Sequence, residues 1–135
     1  MEVIRILFVC VENACRSQMA EGFARKLGQG KIEAFSAGSQ PAGIVDPQAI
    51  AVMKEIGIDL SKQRSKSFSG IPYPEFDYVI TLGCKDICPF FPSREKTTWE
   101  IPDPKGQPIS EFRKTRDLIK AKVKELLERI DLGDI

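Results

Sequence analysis

The chain contains no histidine, one asparagine and one tryptophan among its 135 residues, and its 19 acidic and 20 basic side chains leave a net charge of +1. The lack of histidine removes the usual general base near neutral pH and the commonest metal ligand. Proton transfer and nucleophilic attack must therefore fall on carboxylates and cysteines. The balanced charge, with both signs interspersed, excludes the basic footprint of a nucleic-acid-binding protein. No apolar run is long enough to span a bilayer, and the N-terminal one is short and interrupted by Arg5, which excludes a signal peptide as well. These absences predict a soluble, cytoplasmic protein with neither a membrane nor a nucleic-acid partner. Internal repeats and linker-like stretches are also missing, so residues 1–135 read as one domain of ordinary globular composition, 42% hydrophobic and 29% charged. In such a chain the four cysteines point to catalysis or metal binding rather than to structural disulfides.

What is present is concentrated in Val-Cys-Val-Glu-Asn-Ala-Cys-Arg-Ser, residues 9–17. An apolar run that reads as a buried strand ends directly before Cys10, and a helical pattern begins at Ser17. Cys10 and Arg16 therefore bracket a loop of Val11, Glu12, Asn13, Ala14 and Cys15 between a strand and a helix. Such a loop can turn its N–H groups inward as an anion nest, with the helix N-terminus adding positive potential. Arg16 can offer a bidentate fork to a tetrahedral oxyanion. The same field favours thiolate over thiol at Cys10, and the thiolate is the nucleophile. Cys-x5-Arg alone is a loose motif; the strand before it and the helix after it supply the context that gives it meaning.

Taken in order, residues 3–9 predict a central strand, and the following helix presents Met19, Ala20, Phe23, Ala24 and Leu27 on one face until Gly28 and Gly30 end it. Residues 31–36 fit a second strand. Asp46-Pro47 reads as an N-cap and first helical position for a helix with Ile50, Met53 and Ile56 inward, stopping at Gly57. Residues 58–76 predict short turns, residues 77–82 a third strand, residues 83–96 a loop, and residues 97–100 a short fourth strand. A last helix over 110–130 places Phe112, Ile119, Val123, Leu126 and Ile130 on one face. Strands alternating with helices imply a parallel α/β sheet, whose ligands bind outside the carboxyl ends of the strands. Cys10, Cys84 and Asp103 each follow a strand and so converge on one edge.

Asp103, between Pro102 and Pro104, can protonate a leaving oxygen if partial burial beside an anion keeps its proton; an Asp-Pro turn is the plainer reading. For Cys84 and Cys88, zinc shared with Cys10 and Cys15 is one possibility, but the ion would occupy the anion loop and face Arg16. A redox pair fits better, because residues four apart on a helical turn lie about 6 Å from each other, within disulfide reach. Burial as a small hydrophobe suits Cys15 more than this polar loop.

The ordered set Cys10-Val-Glu-Asn-Ala-Cys-Arg-Ser-Gln-Met-Ala-Glu-Gly22, Ser36-Ala-Gly38, Asp46-Pro47, Asp77-Tyr-Val-Ile-Thr-Leu82, Asp103-Pro104 and Glu111-Phe-Arg113 resembles the thioredoxin-coupled arsenate reductases of the low-molecular-weight tyrosine phosphatase fold. The resemblance covers nearly the whole chain. It implies one α/β domain with a four-stranded parallel sheet flanked by helices. It also implies that Cys10 attacks arsenate, with phosphate or sulfate as mimics, while the loop amides and Arg16 hold the oxygens. Asp103 would then protonate the departing oxygen. Ser17 would orient or stabilise the Cys10 thiolate, and Asn13 would shape the loop. Cys84 would attack next and Cys88 third, leaving a disulfide for thioredoxin or a similar dithiol donor. No cofactor and no metal are expected in the chemistry.

Two departures from the family pattern stand out. The redox pair is usually separated by six residues but here by three, and Gly83 holds the place of the first cysteine. Family members often bind potassium near the loop; Asn13, Glu21 and Ser36 match that site, but Lys66 stands where its remaining carboxylate is expected, which suggests an ammonium in place of the ion. The rival is a phosphatase acting on aryl phosphates. Against it, Lys105 and Gly106 follow the Asp-Pro where an aromatic grip is expected, residues 39–45 hold no aromatic, and Cys84 and Cys88 would be idle. A thiol sensor using the same cysteines is a third reading, separable by turnover.

Overall fold

The computed structural model describes residues 3–83 and 92–131 of the chain. Four strands, β1 (Ile4–Cys10), β2 (Ile32–Gly38), β3 (Phe76–Thr81) and β4 (Ser93–Thr98), form one sheet in the order β2-β1-β3-β4, every neighbour parallel. Three helices accompany them: α1 (Arg16–Leu27), α2 (Pro47–Lys54) and α3 (Ile109–Asp131). The predicted four-stranded parallel α/β architecture is the one observed.

From Ile6 onward β1 is buried on both faces, as its apolar run from Ile6 to Cys10 requires. Ile6 and Phe8 join Met19, Phe23, Tyr78, Phe112, Ile119 and Val123 in the larger core, which α1 and α3 cover. Leu7 and Val9 face the other way, onto Phe76 and Val79, under Phe35, Phe68, Ile71 and Tyr73. The alternation puts Cys10 at the carboxyl end of the central strand, with its side chain on the α1 side.

Several expectations are corrected. β4 spans Ser93–Thr98 rather than 97–100, so part of the expected 83–96 loop is strand. Its sequence, Ser-Arg-Glu-Lys-Thr-Thr, carries no hydrophobic alternation because it is an edge strand whose inner face is polar. Thr98 pairs with Thr81 through their hydroxyls at 2.7 Å, and Glu95 takes Arg129 of α3 at 2.8 Å. Leu27 is 44% exposed, one turn past the point where α1 leaves the core. In α2 the buried residues are Ala49, Val52 and Met53; the helix ends at Lys54, and Ile56, beyond it, is 37% exposed. The 58–76 segment is irregular as expected, with a 3-10 turn at Phe68–Gly70, yet Ile58 and Leu60 are buried and pack against Gly22.

One glycine ties sheet to loop. A Cβ on Gly38 would lie 2.5 Å from Val11 O and 2.9 Å from both Asn13 N and Cys10 O, all main-chain atoms. β2 can run beside the loop after β1 because residue 38 has no side chain. Gly38→Ala must push that loop away, and we expect a loss of about 1–3 kcal/mol, the range for overpacking, measured by urea unfolding.

Candidate active site

The loop between β1 and α1 is shaped by its carbonyls. Val11 O accepts from Gln40 N at 2.8 Å, Glu12 O from Ala42 N at 2.9 Å and Ser65 Oγ at 3.0 Å, Asn13 O from Gln18 Nε2 at 3.0 Å, and Ala14 O from Asp46 N at 2.9 Å. Cys15 O opens the helical ladder by accepting from Met19 N. No peptide bond among the described residues is cis. Across a trans peptide the C=O and the next N–H point in opposite directions. With carbonyls 11–15 drawn outward, the N–H groups of residues 12–16 turn toward the loop's centre. α1 begins there with no acidic residue in its first turn and no side-chain cap from Cys15, so its positive end is left for an anion.

Asn13 makes the turn possible. Its φ of 51° lies in the left-handed region, which costs most L-residues roughly 1–2 kcal/mol and which asparagine tolerates better than most. Its side chain then sets the direction of a proton. Lys66 N can only donate, and it donates to Asn13 at 2.9 Å, so that atom is Oδ1; Gln18 Nε2 donates to the same oxygen at 2.8 Å. The other amide atom is therefore the NH2, and it donates to Ser17 Oγ at 2.8 Å. Ser17 accepts from Asn13 and lies 2.8 Å from Cys10 Sγ. Either atom of that pair can donate; an ionised sulfur only accepts, so when Cys10 acts as a thiolate the Ser17 proton points at it. Cys10, Asn13, Ser17 and Gln18 are all buried. Gln63, bonded to Gln18 Oε1 at 2.7 Å, anchors its far end. Gln18 and Gln63 were not singled out from the sequence, where two glutamines among polar neighbours carry no signal.

Arg16 is also largely buried. Its Nη1 donates to Ile101 O at 3.0 Å and its Nη2 lies 3.5 Å from Asp103 Oδ2, which brings the loop after β4 to the anion loop. A Cβ on Gly83, whose φ is +90°, would lie 2.3 Å from Arg16 Nη1. Position 83 is thus the floor on which the guanidinium rests and has no room for a cysteine. Asp103 is 48% exposed at its side chain, more open than the partial burial expected, and its Oδ1 accepts from Lys105 N. Lys105 in turn pairs with Glu12. Together Cys10, Val11, Glu12, Ala14, Cys15, Arg16, Asp103 and Lys105 line a cleft of about 210 Å³ without an aromatic side chain. A larger cleft of about 390 Å³ beside Arg5, Asp77 and Arg94 opens by the N-terminal ends of β1, β3 and β4, away from the carboxyl ends where parallel sheets bind ligands.

The structure thus brings Cys10, residues 11–15, Arg16, Ser17 and Asp103 into one site. Cys84 and Cys88 lie outside the described residues. Cys10 and Cys15 are free thiols. Burial first, and Asp46 second, push the Cys15 thiol up from its ordinary range. Beneath the loop, buried Glu21 takes Arg25 at 2.6 Å, Ser36 Oγ at 2.5 Å and the Lys66 ammonium at 3.8 Å. Burial pulls the Lys66 ammonium down, and Glu21 opposes that shift. Potassium next to Glu21 would bring a third positive charge to a carboxylate already balanced by two. These residues do not fit the ion.

Two outcomes follow from this geometry. Ser17→Ala removes a hydrogen bond to a charged group worth about 1.5–3 kcal/mol. We expect alkylation of Cys10 by iodoacetamide at pH 7, mapped by mass spectrometry, to slow about tenfold or more. Replacing sodium by potassium at constant ionic strength is expected to leave the melting temperature unchanged, because Lys66 already neutralises Glu21; a clear rise with potassium counts against that assignment.

The sequence pattern of the family described as low molecular weight phosphotyrosine protein phosphatase matches residues 5–133. A glutaredoxin arsenate reductase from Synechocystis sp. is 42% identical over 129 residues, 93% of this chain and 98% of that protein. An arsenate reductase solved in a phosphate-binding state superposes with a TM-score of 0.85 at 39% identity, covering 95% of this chain and 99% of the other. A thioredoxin-dependent arsenate reductase from Corynebacterium glutamicum superposes with a TM-score of 0.81 at 32% identity, over 97% of this chain and 63% of the other. With the family pattern over residues 5–133 and agreement along nearly the full length of the Synechocystis protein and of the phosphate-binding reductase, the chain belongs to the low molecular weight phosphotyrosine protein phosphatase family and, within it, to the arsenate reductases.

Proposed function

We propose that this chain, acting as one domain over residues 1–135, reduces arsenate to arsenite through its own cysteines. The observation that carries the reading is the Cys10 sulfur, 2.8 Å from Ser17 Oγ, at the foot of a loop whose carbonyls are bonded outward. Arsenate sits in the loop, its oxygens on the amides of residues 12–16 and on Arg16 turned from Ile101. The Cys10 thiolate attacks arsenic, Asp103 protonates the departing oxygen, and water leaves a sulfur–arsenic bond. A second thiolate, Cys84, attacks Cys10 Sγ. The sulfur–sulfur bond forms as the sulfur–arsenic bond breaks, the electron pair stays on arsenic, and arsenite departs. Cys88 then attacks Cys84, freeing Cys10 and leaving the Cys84–Cys88 disulfide.

A dithiol donor of the thioredoxin type completes the cycle, as the name of the Corynebacterium protein suggests; the Synechocystis relative carries glutaredoxin in its name, so both donors belong in the assay. Thiols that must start reduced place the enzyme in the cytoplasm, and no described helix is long and apolar enough to cross a membrane. Phosphate and sulfate, as tetrahedral oxyanions, compete for the loop.

The deciding experiment is a single turnover of pre-reduced protein with arsenate, counting free thiols and arsenite. We expect two thiols lost for each arsenite released, no reaction in Cys10→Ser, and the disulfide at Cys84–Cys88. Unchanged thiols with steady phosphate release from an aryl phosphate make the protein a phosphatase instead.

A further inference from the structure

Cys15 poses a problem for the relay. It lines the same cleft as Cys10, is equally buried, and its thiolate would face the sulfur that Cys84 has to attack. Attack by Cys15 balances as well as attack by Cys84. A Cys10–Cys15 bond forms, the Cys10–arsenic bond breaks, arsenic keeps the electron pair and arsenite leaves. The product is a disulfide inside the anion loop, closed over its own binding site.

The fold places a carboxylate against this thiol. Asp46 Oδ2 lies 3.5 Å from Cys15 Sγ. A carboxylate only accepts, so the bond exists only while Cys15 keeps its proton. Asp46 is held there from both sides: its Oδ1 caps α2 by accepting from Gln48 N at 2.8 Å, and its N–H donates to Ala14 O at 2.9 Å, in the loop itself. Burial is the largest influence on Cys15, and Asp103 and an ionised Cys10 join Asp46 in disfavouring a second anion. Lys105, paired with Glu12, faces Cys15 and acts the other way, but burial and the carboxylates outweigh it. Arg16 is engaged by Ile101 and Asp103.

We infer that Asp46 is a positioning residue of the relay: it holds Cys15 as a neutral thiol and so reserves the Cys10–arsenic bond for the distal cysteines. The inference rests on the reductase reading for its consequence but not for the coupling between Asp46 and Cys15, and the two are tested separately. Asp46→Asn keeps a good N-cap acceptor for α2. With Cys10, Cys84 and Cys88 all changed to Ser, Cys15 is the single thiol left, and its alkylation by iodoacetamide is followed from pH 6 to pH 10. Adding Asp46→Asn is expected to move the rising limb of the profile to lower pH and to raise the rate at pH 8 about tenfold, one unit of thiol ionisation. A rate increase without movement along the pH axis reports loosened packing and overturns the inference, as does no change. In the second arm Asp46→Asn, with all four cysteines present, reacts once with arsenate. A mapped Cys10–Cys15 disulfide, missing from the unaltered protein, is the expected product; a disulfide confined to Cys84 and Cys88 overturns the role in the relay. If neither protein consumes thiols with arsenate, the reductase reading fails and the relay role fails with it, whatever the alkylation profile shows.

Discussion

The site depends on where five carbonyl groups point. A loop of six residues can present its amides to an anion only if its carbonyls are satisfied elsewhere, because a buried unpaired carbonyl costs about 1–3 kcal/mol. Here the donors come from the segments at 40–46, from Ser65 and from Gln18 and Met19 of α1. The anion loop is consequently no freestanding motif. It is the place where two connections of the chain and helix α1 lend hydrogen-bond donors, and Gly38 is bare so that the loop can sit against β2.

Residue 66 shows how tightly binding and support are joined. Its main-chain N–H identifies the oxygen of Asn13 and thereby orients the Ser17 proton, while its ammonium neutralises Glu21 two layers below. One residue of an irregular segment therefore bears on both the polarity of the nucleophile and the charge beneath it. Asp46 has a comparable double use, with one oxygen capping α2 and the other on Cys15. Such sharing is economical in a small domain, where few side chains reach any one site.

The cleft also bears on which reaction the fold serves. Its lining is polar apart from Val11, Ala14 and the cysteines, and Lys105 reaches across to Glu12 where an aromatic grip for a phenyl ring would sit. Gly83 cannot bear a side chain without displacing Arg16. A polar cleft without an aromatic side chain agrees with a small oxyanion as the ligand rather than a phosphorylated aromatic side chain.

Much of this was legible in advance. Hydrophobic periodicity located β1, β3, α1 and α3, and the spacing of Cys10, Arg16 and Ser17 located the site, because both are properties of neighbouring residues read against local geometry. Asp46-Pro47 announced a helix start for the same reason. The fourth strand was expected at 97–100 and begins earlier, at Ser93, because an edge strand with a polar inner face has no apolar alternation to mark its start. Asp103 keeps 48% of its side chain exposed, and Leu27 was expected inward and is exposed, since burial is set by what packs against a residue. The remaining decisions belong to tertiary structure alone. Lys66 meets Asn13 across 53 positions, Asp46 meets Cys15 across 31, and Ile101 meets Arg16 across 85. The sequence by itself pointed to Cys10 and the helix behind it; the folded chain set Ser17 Oγ 2.8 Å from that sulfur and Asp46 3.5 Å from Cys15, because such hydrogen bonds depend on partners that only folding brings together.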